Sequence, residues 1–287
     1  MSSQRTILIT AATGNVGPHA ARAALAEGAS VRALVLRDDP HLDRLPPGVT
    51  LFTGDLADPG SLDAALDGVD GVFWMWPFFT TGTGTAQAVL DRIERQAARI
   101  ALVSSVGVHI GLERQDNNCH AYLEELITHT DLGHTFLRTT GFMANALGFA
   151  EQIRTTKTVR FPYGDAVRTP VDEADLAAVG VRALLDDAHA DRRYLVTGPE
   201  ALSQRRQVDI IGEVLGRSLA WEDVEAGEAR AHMVATGWPP SYADGALDYF
   251  RQLTTEDEVG SDTVARVLGR PATTFRAWVE RRSDAFV

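Results

Sequence analysis

Residues 7–25 read ILITAATGNVGPHAARAAL. The run from Arg5 to Thr10 is apolar and β-branched, which suits a buried strand. Gly14 and Gly17 mark a turn, and an alanine-rich periodic stretch then reaches about Glu27, with Gly28 placed to end a helix. A strand, a glycine-bearing turn and a helix in that order form a dinucleotide fingerprint. Gly14 lets the backbone approach a pyrophosphate, and Gly17 lets the helix pack closely on the strand. Thr13 and Asn15 add hydrogen bonds. The helix start presents free N–H groups and the positive end of its dipole to phosphate. The stretch from Thr10 through Ala11, Thr13, Gly14, Asn15 and Val16 to Gly17 is therefore the expected dinucleotide site.

Strand and helix signals keep alternating beyond it. Val31–Leu36, Val49–Thr53, Val69–Trp76, Ile100–Ser104 and Thr135–Arg138 read as strands. Between them, Pro59 opens a short helix, a second helix runs from about Thr85 to Ala97, and a third follows Asn117 as a plausible N-cap. Such alternation specifies an α/β fold, a doubly wound parallel Rossmann sheet with helices on both faces. After about residue 148 the pattern loosens. Val171–Leu185 is an amphipathic helix, Arg193–Thr197 a strand, and Ser203 the N-cap of a helix ending before Gly216. The expected division is a dinucleotide-binding domain over 1–148 and a smaller C-terminal α+β substrate lobe over 149–287, part of which returns to the sheet.

Composition narrows the function. A chain of 287 residues, 45% hydrophobic, buries a sizeable core. A net charge of −12 without a Lys/Arg-rich run argues against nucleic acid, whereas backbone N–H groups still hold an anionic cofactor. The N-terminal MSSQRTILIT lacks the plan of a secretion signal, and the apolar stretch Val72–Phe79 is too short to span a bilayer. With a single cysteine, Cys119, the expectation is a cytoplasmic protein without disulfide or metal. His129 and His134 have no metal-ligand spacing, and no Gly-x-Ser-x-Gly elbow is present.

TAATGNVG, VRALVLRD, GDLADPGSLDAALDGVDGVF, ALVSSVGV, HTFLRTTGFMAN, YLVTGPEALS and VLGR follow one another along the chain. In these landmarks the sequence resembles the NmrA-like group of atypical short-chain dehydrogenase/reductases. The resemblance implies a Rossmann domain with a C-terminal substrate lobe, and NADP or NAD as cofactor. It spans quinone reductases, polyketide-tailoring enzymes and redox sensors that do no chemistry. The chain departs from the group at three places. Ala11 replaces the first glycine, which is tolerable while its φ stays negative. Leu36 stands where an arginine usually meets the 2′-phosphate; Arg37, one residue on, reaches that phosphate against repulsion from Asp38 and Asp39. NADPH is slightly favoured. The third departure is catalytic: no tyrosine has a lysine four residues later, and Lys157 is the only lysine.

Without that pair, an ordinary ketone would become a strongly basic alkoxide with no positioned acid, whereas a quinone becomes a weakly basic, phenolate-like anion. The expected function is NAD(P)H-dependent reduction of a quinone or polycyclic aromatic, polyketide-like substrate, with oxygenation of the reduced ring as an extension. The rival is an NAD(P)-sensing regulator. Asp55 and Leu56 are expected at the adenine, and Met75, Trp76 and Ser104 at strand ends beside the cofactor. Trp76, Phe78, Phe142, Met143 and Asn145 form the expected aromatic-rich substrate mouth. His120 is the leading acid, four residues before Glu124, whose carboxylate would favour imidazolium; Tyr122 and Ser105 follow. A homodimer and a partner oxygenase are both compatible with the sequence.

Overall fold

The computed structural model describes residues 4–111 and 119–287. Its chain divides into two compact units. The first comprises Met1–Thr139, Glu173–Leu195 and Arg266–Gly269; the second comprises Thr140–Asp172, Val196–Ala265 and Arg270–Val287.

In the first unit the opening stretch folds as β1 (Thr6–Ile9), a turn and α1 (Gly17–Ala26). There follow β2 (Ser30–Val35), β3 (Val49–Thr53), α2 (Asp63–Leu66), β4 (Gly71–Trp74), α3 (Ala86–Gln96) and β5 (Arg99–Ser105). Then come α4 (Val106–His109), α5 (Cys119–Thr128) and β6 (Gly133–Thr139). Asn117, the expected cap of α5, lies outside the described residues. A sheet of seven strands runs β3-β2-β1-β4-β5-β6-β9, where β9 is Arg192–Val196. The pairs from β3 through β6 are parallel, with Ile7 opposite both Val31 and Gly71. This is the doubly wound α/β arrangement expected from the alternation. The order in which strands are added reverses between β1 and β4, and in doubly wound sheets ligands bind beyond the carboxyl ends at such a point.

The central strands are buried on both faces, so β4 reads GVFW without alternation. Leu8, Val72, Trp74, Leu102 and Phe136 lie in its core cluster. Gly28, at φ 80°, ends α1 as expected. The helix α7 (Glu173–Leu185) packs on α1 and on β4–β6. Its Gly180 has no room for a side chain: a Cβ there would lie 2.6 Å from the Phe73 ring.

The second unit contains α6 (Ala150–Thr155), β7 (Thr158–Arg160), β8 (Val167–Arg168), β10 (Leu202–Ser203) and α8 (Gln204–Leu215). It continues with β11 (Ala220–Glu222), α9 (Ala226–Ala235), α10 (Pro240–Gln252) and α12 (Phe275–Arg281), while α11 (Thr263–Leu268) is divided, its last residues from Arg266 falling in the first unit. The Ser203 hydroxyl accepts from the Arg206 amide and Gly216 closes α8 at φ 65°, both as expected. Two small sheets, β10-β8 and β11-β7, were not legible in the pattern, because strands of two or three residues carry no period. Met143, Ile153, Ile211, Phe275 and Trp278 form this unit's core.

Candidate functional site

The glycine turn sits at the β1 carboxyl end, and its local geometry follows from crowding. The Gly14 amide donates to the Ala11 carbonyl at 3.0 Å, and a Cβ on Gly14 would lie 3.2 Å from that oxygen. At Gly17 a Cβ would come within 2.4 Å of the Ala12 carbonyl oxygen. Its close neighbour is thus the turn itself rather than the strand. Ala11 has φ 47°, against the expected negative value; an alanine there costs about 1–2 kcal/mol. The turn imposes this conformation, and the lost glycine would have accepted it freely.

The start of α1 has the properties of an anion site. No side chain caps it, Pro18 has no N–H, and the amides of Asn15, Val16 and Gly17 hydrogen-bond to no described residue. Val16 is buried and anchors the helix, while Asn15 is exposed. Uncapped amides behind a surface that tolerates no Cβ fit a pyrophosphate. The Thr13 hydroxyl donates to Asp39 at 2.6 Å, and Arg44 reaches the Thr13 carbonyl at 3.3 Å. Asp39, expected only to repel a phosphate, is thus engaged with the turn and with the His41 amide. Arg37 is exposed and pairs with no described residue. Arg44 was missed by sequence reading, having no motif to mark it.

Several expected contacts have their polar groups occupied. The Thr10 hydroxyl donates to the Met75 carbonyl and accepts its amide, both at 2.9 Å, tying β1 to the residue after β4. Met75 itself is half-buried. Trp76 is buried and its indole donates to the Thr81 carbonyl, which places it in the core rather than at a mouth. Leu56 is likewise core, and Asp55 accepts from the Ala57 amide within its own turn. Ser105 caps α4 by accepting from the Gly107 amide.

Behind β5 and β6 lies a buried polar cluster. Glu124 accepts from Arg138 Nε at 3.0 Å and Nη2 at 2.6 Å, and from the Ser104 hydroxyl at 2.6 Å. Ser104 is therefore turned to Glu124. Its neighbour on α5, His120, packs edge-on against Phe78 at 5.2 Å. Burial pushes the imidazole down to about 4, outweighing the attraction of Glu124, whose charge is already shared with Arg138. The expected imidazolium is thus replaced by a neutral ring. Tyr122 packs half-buried against the sheet core, and Phe78 touches Phe79, which is exposed.

In the second unit, Phe142 is half-buried, Asn145 is exposed and Met143 is buried in the core. Among the described residues no group of three His, Cys, Asp or Glu is arranged for a metal, and no helix is long and apolar enough to cross a membrane.

Residues 3–264 match the NmrA-like family. The chain belongs to that family. It is similar to a (4-alkanoyl-5-oxo-2,5-dihydrofuran-3-yl)methyl phosphate reductase of Streptomyces griseus, at 35% identity over 98% of this chain and 99% of that one. It is also similar to an NAD(P)H azoreductase of Xenophilus azovorans, at 30% identity over 98% and 99% of the two chains. The NADPH complex of the quinone oxidoreductase QOR2 from Escherichia coli shares the fold with a TM-score of 0.78, at 20% identity over 96% of this chain and 99% of that one.

Proposed function

We propose that this chain is an NAD(P)H-dependent reductase of conjugated, electron-poor acceptors such as quinones. The observation that carries the reading is the mismatch between a well-formed cofactor turn and the lack of a ready acid among the residues expected to supply one. His120 is neutral at pH 7, Ser105 is taken up in capping α4, Tyr122 packs against the sheet core, and no tyrosine has a lysine four residues on. When bound, the dihydronicotinamide supplies a hydride. Gly14 to Gly17 hold the pyrophosphate, and the apolar face around Phe78 keeps water from the acceptor.

A neutral imidazole is a poor proton donor, so the chemistry fits acceptors whose reduced form is a stabilised anion that water protonates late. The oxo-dihydrofuran named for one relative shares that property with quinones, because hydride addition to an unsaturated acyl lactone leaves a delocalised enolate. Either NADP or NAD serves, with Arg37 and Arg44 favouring the 2′-phosphate.

The test is a screen with NADPH and NADH against quinones, azo compounds, unsaturated lactones and simple ketones, following nicotinamide absorbance with and without O₂. Turnover of the first three classes and none of the ketones is expected. Tight cofactor binding with no turnover would make the chain a sensor, and strictly O₂-dependent consumption would make it an oxygenase. Gly14→Val should leave the fold intact and abolish cofactor binding by calorimetry, because its side chain fills the approach to the turn.

A further inference from the structure

The loop after β2 carries a carboxylate that a pyrophosphate turn does not by itself require. Asp39 lies 26 positions after Thr13, where doubly wound folds bring the residues past the second strand to the adenosine ribose. It is half-buried, although Arg37, Asp38 and Pro40 around it are exposed. One carboxylate oxygen accepts from the Thr13 hydroxyl at 2.6 Å, and the other accepts from the His41 amide at 2.9 Å. Pro40 disfavours helical backbone at Asp39, which stiffens this seat. The far end of the loop is fastened as well. Arg44 donates to the Thr13 carbonyl at 3.3 Å, and its own carbonyl accepts from Arg22 on α1 at 2.9 Å.

Such a carboxylate treats the two cofactors oppositely. A hydroxyl has one proton to donate. While Thr13 gives that proton to Asp39, a 2′-phosphate at the same turn finds the donor taken and meets a negative charge beside it. Arg37 and Arg44 attract the phosphate, but Asp39 must release the Thr13 hydroxyl before the phosphate can use it. A ribose with a free 2′-hydroxyl is itself a donor. The carboxylate accepts from it with a lone pair that neither Thr13 nor His41 occupies. A group that accepts from one ligand and repels the other is a device of specificity.

We propose that Asp39 sets the choice of cofactor: it competes with a 2′-phosphate for the Thr13 hydroxyl and serves a free 2′-hydroxyl as acceptor. This role rests on the reading of the chain as an NAD(P)H-dependent reductase, which supplies the cofactor. Asp38 is the natural control, since it carries the same charge one residue away but is exposed, and the Thr13 hydroxyl donates to Asp39 instead.

Titration calorimetry with NADPH, NADH, adenosine 2′,5′-bisphosphate and 5′-AMP tests the role without any acceptor. Asp39→Asn keeps the shape but removes the charge, and a neutral amide holds the Thr13 hydroxyl less tightly than a carboxylate does. It tightens NADPH and the bisphosphate by roughly tenfold and weakens NADH and 5′-AMP by about threefold. Asp38→Asn, whose charge is screened by solvent, leaves all four within about twofold. Should Asp39→Asn fold poorly, the wild type still decides. In it, the bisphosphate draws Asp39 away and accelerates amide hydrogen exchange at His41, whereas 5′-AMP does not. Changes of the same sign for phosphorylated and unphosphorylated ligands, an Asp38→Asn effect as large as that of Asp39→Asn, or a His41 amide indifferent to the bisphosphate overturns the proposal. If none of the four ligands binds, the cofactor reading falls and takes this role with it. Binding as expected without turnover of any acceptor overturns the reductase reading alone.

Discussion

Gly17 and Gly141 are both positions where a methyl has no room, but for different reasons. At Gly17 the obstacle is main chain, the Ala12 carbonyl at 2.4 Å from the would-be Cβ. At Gly141 it is a side chain, the Arg168 guanidinium at 2.7 Å. A main-chain obstacle moves only if the turn and the helix start move with it. A side-chain obstacle disappears with one further substitution. The phosphate turn of the first unit is therefore built into the backbone, whereas the Gly141 backbone of the second unit is crowded by a removable side chain. Evolution or engineering can retune the second without disturbing the first.

The largest expected effect tests the backbone half of that contrast. Gly17→Ala should cost about 1–3 kcal/mol in urea unfolding, as an overpacked site does, and weaken NADPH binding by on the order of 100-fold. No single side-chain replacement nearby should restore it. A rescuing second substitution would break the distinction between the two glycines.

A second check uses a half-buried side chain of the first unit. His120 titrates near 4 when folded and near 6.5 when unfolded, so acid favours the unfolded chain. Its contribution is complete above pH 6.5 and drains away as pH falls towards 4. The difference in stability between the wild type and His120→Gln should therefore shrink by about 2–3 kcal/mol from pH 7.5 to pH 4.5. Urea melts at the two values measure it, and a constant difference would mean that His120 is solvated. The same neutrality predicts no histidine-like step in kcat between pH 6 and 8.

The smallest effect concerns a flexible, exposed group. Arg37→Ala should weaken NADPH by roughly fivefold, the worth of one exposed ion pair, and leave NADH nearly unchanged. Equal losses for both cofactors in calorimetry would remove Arg37 from the site and leave Arg44 as the phosphate-facing cation.

Local rules made features of both halves of the chain readable. The β1–α1 turn, the Gly28 and Gly216 helix ends and the Ser203 cap each depend on residues within a few positions of one another. Errors arose where a distant partner intervened. Glu124 looked free to charge His120, four residues away, but Arg138 arrives from β6 to claim it. Trp76 is a different case: its partner, the Thr81 carbonyl, is only five residues on, but no motif marks that contact. Arg168 pairs with Glu258 across 90 positions, with no spacing signal at all. Ala11 shows the converse limit: its identity argued for negative φ, and the turn overrode it.

The return of α7 to the first unit has a consequence in time. This helix packs on α1 and β4–β6, and β9 completes the sheet beside β6, yet both are encoded after the whole Thr140–Asp172 stretch. During synthesis the first six strands exist before their cover does. At 5–20 residues per second, the ribosome needs about 3–11 s to travel from Thr139 to Leu195. For the earlier part of that interval, until α7 is made, Phe73 and Leu137 lack the Gly180 surface that later closes over them. The apolar face of the nascent sheet is thus covered only by the chain's own later sequence.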